Sequence, residues 1–171
     1  LVASDERWVP ATHEKRNERA LAEAFAAANG VTIHPLVPAV EAAFAATGAG
    51  ATAEASLAPL AHRAFDAVLL GMGADAHFAS LFPQVTPPAA LDAGDRAAVV
   101  ALTPDPLPPE APFPRISLTL SRLVATRSLL LMITGEAKRA VLESARSRPA
   151  ADAPIHALLA AAPDLAIHWS P

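Results

Sequence analysis

Residues 66–83 read DAVLLGMGADAHFASLFP, and this stretch decides the fold. Its first part, Asp66–Gly71, is a short apolar run that ends in glycine, which is typical of a buried strand in a parallel sheet. The glycines at its end permit a tight turn, which would lift Asp75 and His77 to the rim of that sheet. Ligands of parallel sheets bind beyond the carboxyl ends of the strands, so we expect a site at this turn.

The rest of the chain repeats the alternation of strand and helix. Ser128–Thr134 is a second buried-strand pattern, and Gly135 and a helical pattern over Glu136–Ser147 follow it. Continuously apolar strands that alternate with helices predict an α/β sandwich with a mostly parallel sheet. Further helices are predicted over Asn17–Asn29, Ala39–Ala46, Thr52–Phe65 and Pro154–Ala162, and a helical turn over Ser121–Thr126. Gly48 and Gly50 separate the second of these helices from the third. Strands are predicted over Ala97–Leu102 and Leu165–Trp169, while Arg115–Leu120 fits strand or loop.

The composition bounds the class of protein. The 171 residues are 53% hydrophobic and carry a net charge of −4, which fits one domain with a buried core and argues against a nucleic-acid binder. The chain has no cysteine, which excludes disulfides, thiolate catalysis and zinc–thiolate sites and fits a reducing compartment. The longest apolar runs are too short to span a bilayer. We therefore expect a cytoplasmic protein with no membrane or nucleic-acid partner.

The first residues, LVASDER, contain neither an initiator methionine nor the charged and apolar regions of a signal peptide. A short apolar run that ends in acidic residues is typical of the end of a strand. We therefore expect that the sequence starts inside a fold, and that residues 1–171 form a single domain without its N-terminal part.

Three groups of polar residues directly follow predicted strands: Asp5-Glu6-Arg7, Gly71–His77 and Gly135–Lys138. The carboxyl ends of parallel strands lie at one edge of a sheet, so we expect the three groups at that edge. His77 is the candidate general base, because an unperturbed imidazole titrates near about pH 6.5 and Asp75 lies two residues away. The alternative is a surface or capping histidine, which is the commoner role of a lone histidine.

Three cationic side chains are candidates for holding an anion. Lys138, one of only two lysines, lies in the first turn of a predicted helix, where free backbone N–H groups attract anions. Strand alternation points Asp5 and Arg7 to the same side, and a guanidinium fork suits a phosphate. Arg115 could supply a second guanidinium or could pair with an acid. The alternatives are a solvated charged turn at residues 5–7 and an ordinary surface lysine at 138.

Other known motifs are weak or absent. Gly71–Ala76 formally matches the G-x-G-x-x-(G/A) dinucleotide fingerprint, but the prolines at 83, 87 and 88 interrupt the long helix that this fingerprint needs. His13 and Glu14 are not followed by the second histidine of H-E-x-x-H, and the sequence has no G-x-S-x-G nucleophile elbow. The residues therefore indicate neither a nucleotide cofactor, nor a zinc-protease site, nor a serine nucleophile.

Taken together, the motifs resemble those of 6-phosphogluconolactonases. DERWVP, LLGMGADAHFASLFP, RISLTL, TGEAKRAVL and LAIHW run in that family's order, almost from end to end of the chain. The resemblance implies a Rossmann-like three-layer sandwich. It also implies a monomer that hydrolyses 6-phospho-D-glucono-1,5-lactone to 6-phosphogluconate, a step of the pentose phosphate pathway, without cofactor or metal. By the same resemblance, His77 would activate water and Asp5 would orient the substrate or the histidine. The phosphate would be held by Arg7, Lys138 and Arg115. The substrate site would be completed by Asp75, Gly71 and Gly73.

The chain departs from this family at two places. Ala76 stands where the family has glycine, so a positive φ there would strain the turn and could misplace His77. The N-terminal strand and the Gly-Gly-x-Thr-Pro loop, which contributes to the family's phosphate pocket, do not occur in these residues. We therefore expect either a fragment or a truncated, inactive relative.

Two related functions stay open. Glucosamine-6-phosphate deaminases share the fold, but after the histidine they continue towards Phe-Asn-Glu-Pro, where this chain has Ala79–Pro83 (ASLFP). The other alternative is a non-catalytic sugar-phosphate sensor. Such sensors are normally fused to a DNA-binding helix-turn-helix, and we find no such segment in these residues.

Overall fold

A computed structural model describes residues 1–38 and 44–171 of the chain. Strands and helices alternate along most of it. In order, the elements are β1 (Asp5–Arg7), α1 (Asn17–Ala24), α2 (Ala46–Leu57), β2 (Val68–Gly71), β3 (Val99–Leu102), β4 (Arg115–Leu118), α3 (Leu120–Val124), β5 (Leu129–Thr134), α4 (Glu136–Ala145), α5 (Ile155–Ala161) and β6 (Ala166–Ser170), with short 3₁₀ turns at Ala58–Leu60 and Pro88–Leu91.

The two predicted buried strands pair with each other in a parallel sheet. β2 and β5 lie in register from Val68 opposite Leu129 to Gly71 opposite Met132, and β6 pairs with the other side of β5. Leu131, in the middle of β5, is fully buried. The α/β class with a parallel sheet is therefore confirmed, and the segments that follow β2 and β5 leave the sheet at the same edge.

A second sheet is antiparallel and has the order β1-β4-β3. The prediction that Asp5-Glu6-Arg7 follows a strand is wrong, because these residues are themselves β1 and pair with Arg115–Ser117 of β4. The apolar residues 1–3 favour a strand on composition alone, but the backbone partner lies opposite residues 5–7. Two of the three polar groups therefore share the edge of the parallel sheet, and the third belongs to the other sheet.

Helix α2 also differs from its prediction. It contains Gly48 and Gly50, which the sequence analysis places between two helices. A stripe of buried side chains runs along α2 at every fourth residue, and its burial outweighs a cost of about 1 kcal/mol for each helical glycine. The members of this stripe are Ala49, Ala53 and Leu57.

The first helix is shorter than predicted. α1 ends at Ala24 rather than at Asn29, and Gly30 follows with a positive φ of 78°. Residues 31–38 contain no strand, as their prolines predict. The helix predicted over Ala39–Ala46 falls mostly outside the described residues.

One hydrophobic cluster joins both sheets to the surrounding helices. The segment after β2 contributes Phe78 and Leu81 to it, and both side chains are fully buried. Burying each of them stabilises the fold by roughly 1.5–3 kcal/mol. The core thereby fixes the backbone on the C-terminal side of His77. None of the helices in the described ranges combines the length and apolar character that crossing a bilayer requires.

Candidate active site

The turn after β2 is closed by its own backbone. The N–H of Gly73 donates to the carbonyl oxygen of His77 at 2.9 Å, and the N–H of Ala76 donates to the carbonyl of Gly73 at 3.1 Å. A Cβ at Gly73 would lie 2.2 Å from Nδ1 of His77 and 2.6 Å from Oδ1 of Asp75. The turn therefore needs glycine at this position because the imidazole and the carboxylate occupy the space of a side chain.

Asp75 and His77 form a pair at the rim of the sheet. Nδ1 of His77 lies 2.5 Å from Oδ1 of Asp75, and the imidazole packs beside the ring of Phe82 at a centroid distance of 4.5 Å. The side chain of His77 is 29% exposed and that of Asp75 50%. The predicted neighbourhood of these two residues is therefore a direct contact that solvent can reach.

The carboxylate sets the orientation of the imidazole. Burial acts to raise the pKa of Asp75, but hydrogen bonding and the charge of His77 prevail and lower it below its ordinary value. An ionised carboxylate can only accept a hydrogen bond, so in the neutral form of the imidazole the proton lies on Nδ1 and the lone pair on Nε2. This arrangement suits an imidazole that takes a proton from water.

Ala76 adopts the strained conformation that the sequence analysis anticipates, with φ of 70°. Its side chain is fully buried, and its carbonyl accepts a hydrogen bond from the N–H of Ile155 at 3.0 Å. A left-handed non-glycine residue costs about 1–2 kcal/mol and persists where its surroundings hold it. His77 keeps its contact with Asp75 beside this strained residue.

Asp5 lies behind the His77 segment and contacts it through a serine. Its Oδ2 accepts a hydrogen bond from Oγ of Ser80 at 2.6 Å, and its Oδ1 accepts one from Oγ of Ser4 at 3.1 Å. The N–H of Ser80 donates to Oγ of Ser117 on β4 at 3.1 Å. The antiparallel sheet thus holds the segment that carries His77. The carboxylate that contacts the imidazole is Asp75, and Asp5 acts on that segment through Ser80.

Asp5 also borders open space. A groove of about 880 Å³ has Asp5 and Asn17 among its lining residues, together with Val68 and Leu69 of β2. Leu69 is 61% exposed. The carboxylate therefore lies where the two sheets face a common groove.

Arg7 shares the face of Asp5, as alternation predicts, with Glu6 buried on the opposite face. Its Nη1 donates to Oδ1 of Asn17 and to the carbonyl of Lys15. Nε of Arg7 is buried and has no hydrogen-bond partner among the described residues. Arg7 is thus held in place from the start of α1 while one of its donors stays unused within the described part of the chain.

Glu6 has a structural role that the sequence analysis does not identify. Its buried carboxylate accepts the N–H groups of Arg7, Asn17 and Glu18, each at 2.8 Å, and lies 3.7 Å from Nε of Arg16. Burial raises the pKa of Glu6, while these hydrogen bonds and Arg16 oppose the rise. The carboxylate supplies partners for the free N–H groups at the start of α1. Its alternation with Asp5 and Arg7 is the signal that could have separated it from them.

Arg115 is buried and bonded to backbone. Its Nη1 donates to the carbonyl of Phe113 at 2.8 Å, and its Nη2 donates to that of Ala111 at 2.7 Å. It lies opposite Arg7 in the register of β1 and β4. Burial and the charge of Arg7 lower the pKa of Arg115, and Asp5 and Glu6 act in the other direction. The observed contacts of this guanidinium are structural, and none of them leads to His77.

Lys138 lies in the first turn of α4, which begins directly after β5, and its side chain is partly exposed. Gly135 precedes the helix with φ of 87°, and its carbonyl accepts a hydrogen bond from the indole of Trp169 at 3.3 Å. β2 ends at Gly71, opposite Met132 of β5, so the His77 turn and the start of α4 leave the same edge of the sheet. The structure therefore brings the His77 and Lys138 segments to one side.

Metal chemistry has no candidate site in the described ranges. No group of three or more histidine, aspartate and glutamate side chains in residues 1–38 and 44–171 is arranged to hold a metal ion. The predicted site residues within these ranges are a carboxylate–imidazole pair, a lysine at a helix start and the charged residues of β1.

Comparison with known proteins gives one family. A family model described as glucosamine-6-phosphate isomerases/6-phosphogluconolactonase matches residues 1–169. A solved 6-phosphogluconolactonase from Shewanella baltica is 32% identical, with a TM-score of 0.80, and the match covers 99% of this chain and 71% of that one. Two further 6-phosphogluconolactonase structures share the fold. The one from Trypanosoma brucei is 20% identical with a TM-score of 0.78, and the match covers 99% of this chain and 70% of that one. The one from Trypanosoma cruzi is 24% identical with a TM-score of 0.73, and the match covers 98% of this chain and 68% of that one. The curated proteins contain no significant match.

Proposed function

The chain belongs to the glucosamine-6-phosphate isomerase/6-phosphogluconolactonase family, and from that premise we propose that it hydrolyses 6-phospho-D-glucono-1,5-lactone to 6-phospho-D-gluconate. The observation that carries the proposal is the 2.5 Å contact between Asp75 and Nδ1 of His77 at the carboxyl edge of the parallel sheet. This reaction would place the chain in the oxidative branch of the pentose phosphate pathway, acting in the cytoplasm as a monomer.

His77 is the general base in the proposed mechanism. Its Nε2 takes one proton from a water molecule while the water oxygen forms a bond to the lactone carbonyl carbon. The tetrahedral intermediate then breaks its bond to the ring oxygen, which receives the proton from the imidazolium. The product is a carboxylic acid that ionises at neutral pH. Asp75 stabilises the imidazolium and keeps the ring in the productive orientation, as a carboxylate does beside a catalytic histidine.

The phosphate would be held by Lys138 and Arg7, at a distance from the reacting carbon. Two cations on separate elements can anchor a dianion and so convert its binding energy into positioning of the carbonyl. Asp5 contributes through Ser80, whose segment carries the imidazole. Arg115 lies opposite Arg7 on β4 and supports the strand that carries it.

Replacing His77 tests the proposal. Since a general base contributes about 10²- to 10⁴-fold, His77→Gln should lower kcat for lactone opening by about that factor, down towards the spontaneous rate. The imidazole lies at the rim of the sheet, so the circular dichroism spectrum should not change. His168→Gln, at an exposed position on β6, is the matched control and should keep wild-type turnover.

Unchanged lactone turnover in His77→Gln would remove this histidine from the mechanism. Release of ammonia from glucosamine 6-phosphate by the wild-type chain, without lactone hydrolysis, would contradict the proposed reaction in favour of deamination.

A further inference from the structure

A second pocket lies away from the candidate active site. It has a volume of about 410 Å³ and is lined by residues 61–64, 93, 95–98, 121, 122 and 125. Residues 61–64 precede β2, and residues 121–125 precede β5. In a parallel pair both strands therefore begin near this pocket, whereas the His77 turn and α4 follow their other ends. The pocket and the candidate active site lie at opposite edges of the parallel sheet.

Positive charge predominates around this pocket. Three guanidinium groups line it, those of Arg63, Arg96 and Arg122, together with the imidazole of His62. Asp95 is the acidic residue in the lining, and its Oδ1 already accepts the N–H of Ala97 at 2.8 Å. The surplus of cations stands out because the chain as a whole carries a net charge of −4. Such a concave cationic surface favours an anionic ligand.

Arg122 is the buried member of the group, with 7% of the residue exposed. Its Nη2 donates to the carbonyls of Leu60 and Arg63, each at 3.1 Å, and its guanidinium stacks 3.7 Å from the ring centroid of Phe65. Its Nε is buried and has no hydrogen-bond partner among the described residues. The guanidinium is thus fixed by neutral groups, and its buried Nε contributes charge to the pocket wall rather than an accessible hydrogen-bond donor.

The three arginines also lack carboxylate partners. Within residues 1–38 and 44–171, no ion pair joins Arg63, Arg96 or Arg122 to an aspartate or glutamate. Buried charges are ordinarily paired, because leaving water without a counter-charge is costly. Elsewhere in the same chain, the buried Arg16 follows that rule through Glu6 and Glu18. The contrast applies to Arg122, the buried arginine of this pocket, which has no carboxylate partner in the described chain. Arg63 and Arg96 are exposed and add positive charge to the lining.

We propose that this pocket binds a small phosphate-bearing anion. Guanidinium groups bind phosphate oxygens in pairs of parallel hydrogen bonds, and several of them can share one dianion. The volume lies within the range of small-molecule sites. The ligand would therefore occupy the amino end of the parallel sheet while the proposed substrate occupies the carboxyl end.

The test is a titration of the full chain followed by nuclear magnetic resonance. The backbone amides of Ala98 and Ser121, with the Nε–H groups of the arginines, report this pocket, and the His77 amide reports the candidate active site separately. The probes are inorganic phosphate and glycerol 3-phosphate, each added at ionic strength held constant with sodium chloride. We expect saturable shifts at Ala98 and Ser121 with either probe. Tighter binding of the ester would identify an organic phosphate, and equal binding would identify the phosphate group itself.

Two variants connect those shifts to the arginines. The double substitution Arg63→Gln and Arg96→Gln should weaken binding by about tenfold or more, since each removes a charge-assisted hydrogen bond. Both side chains are exposed, so the remaining spectrum should be unchanged. Arg146→Gln, an exposed arginine at the end of α4, should bind as the wild type does. Shifts that fail to saturate with both probes, or equal affinity in the double variant and in the wild type, would overturn the proposal.

Discussion

The parallel sheet β2-β5-β6 and the antiparallel sheet β1-β4-β3 hold charged side chains in different environments. After the strands of the parallel sheet, Asp75, His77 and Lys138 are partly exposed. In the antiparallel sheet, Glu6 and Arg115 are buried and bonded to backbone N–H or C=O groups. The buried charges of the antiparallel sheet thus complete the hydrogen bonds of nearby backbone, whereas solvent reaches those at the edge of the parallel sheet.

The difference follows from what the chain forms after the strands of each sheet. In a parallel sheet the chain departs into a turn or a helix start, whose polar groups face solvent at the edge. In the antiparallel sheet, β1 lies between the start of α1 and β4, so its charges serve the unpaired groups of those neighbours. Substitution of the partly exposed charges that follow the parallel strands should accordingly affect activity, and substitution of the buried Glu6 or Arg115 should affect stability.

The largest expected effect comes from Gly73→Ala in the parallel sheet's turn. The new Cβ would lie 2.2 Å from Nδ1 and Cε1 of His77, so the imidazole must move. Because a displacement of about 1 Å can cost about 10²-fold, kcat for lactone hydrolysis should fall at least that far. Steady-state kinetics on the full chain measure this.

Gly71→Ala is the comparison for that substitution, because the resemblance assigns both glycines to the substrate site while the space for a side chain differs between them. At this position a Cβ would meet only the carbonyl oxygen of Met132, at 3.9 Å. Turnover should stay within about twofold of wild type, since 3.9 Å is an ordinary van der Waals distance. Equal losses in the two glycine variants would show that turn flexibility matters rather than the space that the imidazole needs.

Asp75→Asn should lower kcat by about 10- to 100-fold. An amide at this position can donate to Nδ1 and so favour the wrong tautomer of His77. The KM of the variant should stay close to the wild-type value, because the carboxylate acts on the imidazole rather than on the phosphate. A change confined to KM would contradict the assigned role.

The same substitution has a predicted pH dependence in stability. Because the pKa of Asp75 is lowered in the folded chain, the ionised carboxylate stabilises the fold above its ordinary pKa near about 4, and this contribution disappears as the pH falls through the lowered value. The gap in unfolding free energy between wild type and Asp75→Asn should therefore be present at neutral pH and close in acid. It should stay below about 1 kcal/mol because the pair is half-exposed. Urea unfolding at several pH values measures it.

Arg115→Met and Lys138→Gln compare the sheets directly. Removing the Arg115 guanidinium leaves the carbonyl of Phe113 without its donor, while the carbonyl of Ala111 keeps the N–H of Phe113, so the free energy of unfolding should fall by about 1–3 kcal/mol. Lys138→Gln should raise KM about tenfold and change stability by less than about 0.5 kcal/mol. A raised KM with unchanged stability in Arg115→Met would make Arg115 a ligand contact, as the sequence analysis expects.

The smallest effect is expected from Ala76→Gly. Glycine relieves a left-handed conformation worth about 1 kcal/mol, but the fully buried methyl group contributes about 0.8 kcal/mol. Glycine also makes the unfolded chain more flexible, at a cost of about 0.4–1 kcal/mol. The net change in unfolding free energy should stay within about 1 kcal/mol, and kcat within about twofold. A large gain in kcat would show that alanine does misplace His77.

The sequence predicts best where local pattern and tertiary structure agree. β2 and β5 are found because both are continuously apolar and end in glycine, and the turn between β2 and His77 is found because glycine spacing permits it. The pairing of Asp75 with His77 is anticipated because the two residues lie in one short turn. Each of these features depends on neighbours within a few residues.

The misses depend on contacts distant in sequence. β1 is a strand only because β4 lies opposite, more than a hundred residues later. Arg115 looks like a free cation until the carbonyls of Ala111 and Phe113 turn back to it. The glycines of α2 lie within a helix because its buried stripe packs into the core. No local pattern contains these partners, so the sequence could not predict them.

Trp169 is an intrinsic fluorescent reporter for the start of α4, where Lys138 is proposed to hold the phosphate. The chain has two tryptophans and no tyrosine, so its ultraviolet fluorescence comes essentially from Trp8 and Trp169. The indole of Trp169 donates to Gly135, directly before the helix that carries Lys138, and the guanidinium of Arg139 lies 4.8 Å from its ring. A Trp8→Phe chain would emit from Trp169 alone. The wavelength maximum and the intensity of that emission would then report the binding of an anion at the start of α4, without an attached dye.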